Sequence, residues 1–349
     1  MKPSMATIAD VAREAGVSKA TVSSVFSKKR PISAEVTERV YAVAKRLGYY
    51  PNHIAVSLSL KKTMIIGLQM SVTNAGEWPA FNAEMVSGVI QVCAESGYRV
   101  LLDTLPENSD RTTMTMDPVD GVILLNPAQE DKRLDRFRQM NIPAVVIGRP
   151  NPSSTPACYV DNNNEEMMFR LGLSLLAQGH RQVLFLNAAA NMTVAQDRYE
   201  GLRAAYRSQG LDFPITHHFH YDWHKHPTAD EYGYQTIADT AGLLPYTVVI
   251  TDQMHIAIGV MRAARELGIS IPEQLSLVAL GDDAILAQEV SPSLTAVDLQ
   301  PRQLGAEAAR MLLDLIQRAG EPRHRLVDTA FVVRESCSLP NPNSGGKKG

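Results

Sequence analysis

The first chemistry legible in this 349-residue chain is the polar run VSKATVSSVFS at residues 17–27. If Val22, Val25 and Phe26 turn inward at helical spacing, the opposite face presents Lys19, Ala20, Ser23 and Ser24. One cation among small hydroxyl-bearing side chains can approach the base edges of a major groove closely. A second run, THHFHYDWHKH, holds five of the nine histidines: His217, His218, His220, His224 and His226. On a strand His218 and His220 point the same way, and His220 and His224 could meet in a turn, so a metal site is conceivable. No cysteine or clear carboxylate set completes it, and the working reading is a solvated loop with no metal and no cofactor. The chain has no G-x-S-x-G, P-loop, G-x-G-x-x-G or H-E-x-x-H pattern, so catalysis has no motif behind it.

The elements that must position the 17–27 face are short helices. TIADVAREAG puts Ile8, Val11, Ala12 and Ala15 on one stripe, with Gly16 as its stop. Ser18 stands where a second helix needs its N-cap. A third follows, capped by Ser33, with the stripe Val36, Val40, Val43, Ala44 and Leu47 ending at Gly48. Three short helices, the first two tightly joined, make a helix-turn-helix. Charge supports a polyanion partner: residues 1–62 hold 11 Lys or Arg against 4 Asp or Glu, whereas the whole chain is at −3. A basic head is fused to an acidic body.

From residue 64 the body alternates apolar runs with amphipathic helices, a βαβ rhythm that predicts parallel sheets. MIIGLQM, YRVLLDT, DGVILL and PAVVIG supply strands around helices at 80–96 and 131–140. The pattern restarts after VDNNN with helices at 163–178, 196–209 and 253–267 and strands at QVLFLN, 216–221 and YTVVIT. The fold class is therefore a small all-α head followed by an α/β core of two Rossmann-like halves. No apolar run has the length of a membrane span, and MKPSMATIADVA lacks the apolar stretch of a signal peptide, so a cytoplasmic protein without membrane partners is expected. Cys93, Cys158 and Cys337, sparse and odd in number, point to reduced thiols.

The stretch TIADVAREAGVSKATVSSVFSKKRPISAEVTERVYAVAKRLGYYPN resembles the N-terminal domain of the LacI/GalR family of transcriptional regulators. SPSLTAVDLQP and FVVRES are close to family patterns further on. The resemblance implies a DNA-binding domain at 1–50, a hinge helix and linker at 51–63, a periplasmic-binding-protein-like core at 64–349 and a flexible tail at 341–349. Within the core it implies a first half of about 64–160 plus 294–320 and a second of about 161–293 plus 321–340. It also implies that Lys19 and Ala20 reach bases while Ser18, Thr21 and Ser23 hold phosphates, with Thr7, Ser24, Ser27, Lys29, Asn52, His53 and Ala55 in the same interface. Leu58 would wedge into a minor-groove step. Two departures stand out: Ser24 replaces a common Arg, and Val56 replaces another, with His53 a partial substitute. The segment LPENSDRTTMTMDPVDG is shorter than its family counterpart.

Family positions further imply an effector cleft between the halves, lined by Phe81 and Asn82 from the first and by Asp161, Arg198, Thr251, Asp252 and Asp282 from the second. Asp283 is the alternative to Asp282, because ALGDDAILA departs from the family's G-F-D-D. Trp223 would stack on the ligand from the histidine loop. A planar guanidinium among carboxylates suits hydroxyl-rich or nucleoside-like ligands. The partners expected are a palindromic double-stranded DNA operator, a small polar effector and a second copy of the chain. A repressor is the expected sense; a small-molecule-binding protein or a sugar-active enzyme without operator function is the alternative.

Overall fold

Thr7 starts the first helix, α1 (Ile8–Ala15), through a reciprocal cap. Its hydroxyl accepts from the Asp10 N–H at 3.4 Å, while the Asp10 carboxylate accepts from the Thr7 N–H at 3.0 Å. Gly16, at φ 66°, ends the helix where an L side chain would be strained. The Ser18 hydroxyl then accepts from the Thr21 N–H at 3.0 Å and opens α2 (Lys19–Ser27). Helix α3 (Ala34–Leu47) follows; Ser33 occupies its N-cap position, but its hydroxyl makes no capping bond. Val11, Ala12, Ala15, Val22, Val25, Val40, Val43 and Ala44 form the core of this three-helix head. Phe26, expected inside, is only half-buried and meets Tyr41 edge-on at 5.4 Å.

The computed structural model describes residues 6–27, 30–50, 62–70, 80–103, 119–151, 156–240, 245–318 and 320–339. Lys29, Asn52, His53, Ala55, Val56 and Leu58, the segment at 104–118 and the tail at 341–349 lie outside them. The helical head belongs to one compact unit and the two β-sheets to a second.

In the second unit, β1 (Ile65–Gln69), β2 (Arg99–Asp103), β3 (Gly121–Leu125), β4 (Ala144–Ile147), β5 (Cys158–Asn162) and β11 (His324–Val327) form one sheet, ordered β11-β5-β4-β3-β1-β2. The second sheet is ordered β12-β10-β9-β8-β6-β7. Its strands are β6 (Val183–Asn187), β7 (His218–His220), β8 (Val248–Thr251), β9 (Ser276–Leu280), β10 (Thr295–Asp298) and β12 (Ala330–Val332). Continuous apolar runs such as VLFLN are buried along their whole length, as parallel strands covered on both faces must be. Strand β12 pairs antiparallel with β10.

The covering helices are α4 (Ala80–Glu95), α5 (Arg133–Gln139), α6 (Asn164–Ala177), α7 (Thr193–Ser208), α8 (Ala229–Thr240), α9 (Met254–Glu266), a single turn α10 (Leu286–Glu289) and α11 (Pro301–Gln317). They pack in pairs, α4 with α11, α6 with α7 and α8 with α9. Each pair meets at glycine. A Cβ on Gly233 of α8 would lie 2.1 Å from the Ile256 carbonyl oxygen, and one on Gly259 of α9 only 1.9 Å from that of Asp230. Gly88 and Gly305 do the same for α4 and α11, and Gly201 for α7 against α6. Helix α8 escaped the sequence reading because Gly233 interrupts it and lowers its propensity; backbone contact with α9 is what requires that glycine.

The strand pairings also correct the division into halves. Strand β10 lies parallel to β9, so residues 294–298 belong with the second half, and only from α11 does the chain serve the first. Strand β11 lies parallel to β5 and returns 324–327 to the first half rather than the second. The chain therefore crosses after Asn162, after Leu299 and after Val327. The buried Asn162 side chain ties all three crossings: its Nδ2 donates to the Leu299 carbonyl at 3.1 Å and to that of Val327 at 3.0 Å.

Candidate functional site

On α2 the structure keeps part of the expected face and corrects the rest. Lys19 and Ala20 are exposed, Thr21 and Ser23 half-exposed, and Ser18 is exposed although its hydroxyl caps the helix. Ser24 and Ser27 are covered rather than open to solvent, at 6% and 8% exposed. At Ser24 the cover includes Arg30, which folds back so that its Nε donates to the Ser24 hydroxyl at 3.3 Å. Thr7 sits at an exposed helix start, with its own hydroxyl spent on the Asp10 carboxylate at 2.7 Å.

The second cluster gathers where strands end. Asp161 and Asn162 close β5, Arg149 follows β4, Thr251 ends β8 with Asp252 next to it, and Asp282 follows β9. The carboxyl ends of parallel strands are where such sheets place ligands. Arg198 on α7 is 6% exposed; its Nε donates to the Asn164 side-chain oxygen at 3.0 Å and its Nη1 to Asp252. Its Nη2 makes no hydrogen bond among the described residues. Asn164 also donates to Asp161 at 3.1 Å, and Asp161 accepts from the backbone N–H groups of Arg149 and Asn162 at 3.1 and 2.8 Å. The Arg149 side chain crosses from the first half to Asp197 on α7, with Nε 2.8 Å from its carboxylate.

Asp197 and Asp252 each pair with a guanidinium, of Arg149 and Arg198, whereas Asp161 is held by N–H donors without an ion pair of its own. Burial pushes the Asp161 carboxyl up to about 7, and the Asp197 charge adds to the push while Arg198 opposes it. Burial likewise raises Asp252, against the pull of Arg198. A buried Arg whose fork is held by two acceptors presents its remaining donors in a fixed direction.

Other expected cleft residues take different roles. Both Asp282 oxygens accept from Arg334, at 2.9 and 2.8 Å, so the carboxylate is committed to an ion pair that the sequence reading missed. Asp283 is committed as well, its carboxylate accepting from the Ile285 and Leu286 N–H groups at 3.2 and 3.1 Å. Thr251 is fully buried and donates to the Gln253 carbonyl at 3.2 Å, shaping the turn that carries Asp252. Phe81 is partly buried and packs against the cores of both halves, with Asn82 beside it in the first turn of α4. Trp223 is exposed and stacks on His224 at 3.7 Å.

The histidines of this run pack against aromatic rings and backbone carbonyls. His218 stacks between Tyr199 at 4.5 Å and Phe185 at 5.3 Å. Asn187 spends its oxygen on the Ala188 N–H, so its Nδ2 faces the Ala195 carbonyl and His218 Nε2, which must accept. Burial holds His218 down at about 4, with His220 adding to the effect. His220 directs Nδ1 at the Ala188 carbonyl, 2.8 Å away. No group of three His, Cys, Asp or Glu among the described residues is arranged to hold a metal. A pocket of about 220 Å³ opens along β7 and α8, lined in part by His220, Asp222, His226 and Tyr232. Tyr232 is 2% exposed, and its hydroxyl has no hydrogen-bond partner among the described residues. Sequence reading had no means of finding it, because α8 itself was missed.

Comparison with known proteins decides what this arrangement belongs to. Residues 7–52 match the model of bacterial regulatory proteins of the lacI family, and residues 174–337 that of a periplasmic binding protein-like domain. The ribose operon repressor of Halalkalibacterium halodurans is 31% identical over 349 residues, covering 95% of this chain and 97% of that protein. The chain belongs to the LacI family. Another relative, the HTH-type transcriptional regulator MalR of Staphylococcus xylosus, is 29% identical over 96% of this chain and 98% of its own. Among solved structures, the CelR–cellobiose complex superposes with a TM-score of 0.70 at 26% identity, covering 95% of this chain and 99% of that one. The operator-bound lac repressor dimer gives 0.79 at 23% identity, with 95% and 99% covered, and shows the fold. This LacI-family chain is a DNA-binding transcriptional regulator, and the readings as an enzyme or a stand-alone binding protein fall away. No helix among its described residues is long and apolar enough to cross a membrane.

Proposed function

We propose that the chain acts as a cytoplasmic homodimeric repressor of a palindromic operator, and that a small polar ligand, a sugar or nucleoside, controls its affinity for DNA. The observation that carries the ligand assignment is Arg198. It is buried at the strand ends, oriented by Asn164 and Asp252, and keeps one terminal nitrogen for an incoming oxygen. Planar donors beside carboxylates select hydroxyl-rich or base-bearing ligands. Ribose and cellobiose, named with two similar proteins, head the candidates. The operator-facing side rests on exposed Lys19 and Ala20 at the start of α2.

A ligand shifts DNA affinity only by binding two conformations unequally, and the coupling is reciprocal, typically about 1–3 kcal/mol or 5- to 150-fold. The test recovers genomic fragments bound by the full chain, then measures operator affinity with and without a sugar and nucleoside panel. Arg198→Ala is expected to abolish the ligand response, and Arg198→Lys, which keeps the charge but not the fork, to weaken it. Ligand affinity and coupling equal to the parent's in both variants would place the effector elsewhere.

A further inference from the structure

The side of α2 turned away from the head's core carries Ala20, Ser24 and Ser27, one stripe at i, i+4 and i+7. Ala20 is open, but the stripe is covered at Ser24 and Ser27. At Ser24 the cover includes Arg30, itself exposed, whose Nε donates to the serine hydroxyl. That bond uses one of five guanidinium donors, and among the described residues the four on Nη1 and Nη2, the pair that forms a planar fork, make no other hydrogen bond. A serine reads bases with little preference, whereas an arginine fork matches the O6 and N7 acceptors of guanine. The face of a recognition helix opposite its core is the one that enters the major groove. A small residue at 24 leaves room for a guanidinium arriving from the following loop, and its hydroxyl fixes the orientation of the plane.

We propose that Arg30, seated on Ser24, is a base-reading group of this head and recognises a guanine at one symmetric position in each half-site. This rests on the reading of the chain as an operator-binding regulator and adds to it the residue and the base. Ser24 acts through Arg30 as a positioning residue, and the guanidinium does the reading.

The experiment selects duplexes from a randomised library with the full chain, for the parent, Arg30→Ala, Arg30→Lys and Ser24→Ala, with affinities then measured across salt concentrations. The parent is expected to enrich a two-fold symmetric sequence containing the guanine. Arg30→Ala should lose discrimination at that position alone, by about 5- to 150-fold, the worth of one bidentate pair. Arg30→Lys should keep the salt dependence and still lose the guanine, because an ammonium lacks the fork. Ser24→Ala should broaden the same position without altering the salt dependence. If Arg30→Ala retains every selected base and weakens all sequences alike, Arg30 touches phosphate only and the proposal is overturned. If the parent itself enriches no sequence, the operator reading fails first, and the Arg30 assignment falls with it.

Discussion

Replacing Asp161 by Asn should remove a pH dependence of stability that the parent carries. The Asp161 carboxyl titrates at about 7 in the folded chain, against an ordinary value of 3.8. Between those values the folded state holds a proton that the unfolded state has released. The group's contribution is therefore fully present below about 3.8 and lost as the pH rises to about 7, the sign opposite to that of a salt-bridged carboxylate. The slope in that window is about 1.4 kcal/mol per pH unit, so roughly 2–3 kcal/mol should disappear from the parent between pH 5 and 7. Asparagine at 161 is neutral at every pH, and its side-chain oxygen still accepts from the donors at Asn162 and Asn164. Urea titrations of both proteins followed by intrinsic fluorescence would show the difference in unfolding free energy. The variant should gain on the parent steadily up to about pH 7 and hold a constant difference above it. Curves that stay parallel from pH 5 to 8 would mean that Asp161 is ionised throughout, and the account of burial holding its proton would be wrong.

Two further outcomes follow from the packing. Gly259→Ala forces a methyl to within 1.9 Å of the Asp230 carbonyl, so α8 and α9 must part. A loss of about 3 kcal/mol is expected by chemical denaturation, of the size that overpacking gives. Gly320→Ala, whose nearest neighbour is 3.9 Å away, should change little and serves as the control. Tyr232→Phe removes a buried hydroxyl with no partner among the described residues, so stability should hold or rise by up to about 1–2 kcal/mol. A loss beyond 2 kcal/mol would show that the hydroxyl is satisfied in solution.

What could be read from the residues was whatever recurs locally. Gly16 and Gly48, the Val11–Ala15 and Val40–Ala44 stripes and the all-apolar strands announce themselves at fixed spacings, and the structure places them within a residue or two. Arg198 could be named, but not its clamp, because Asn164 lies 34 positions and Asp252 54 positions away, and no spacing rule links them. Ser24 was misjudged for a related reason. Helical phase alone turns it outward, and phase says nothing of Arg30 returning to bond its hydroxyl. Asp282 looked free because its partner, Arg334, arrives 52 residues later. Charge pairing across the chain is decided by topology, and periodicity carries no information about it.

The Asn162 clasp limits what the core can do mechanically. Its two bonds, one to each of the other crossings, run nearly at one point and are shut away from water. Sliding one half past the other would strand a buried amide at a cost of about 1–3 kcal/mol for each bond broken. Turning about that point stretches neither bond appreciably. The clasp therefore opposes translation of one half past the other more than it opposes rotation about the Asn162 amide.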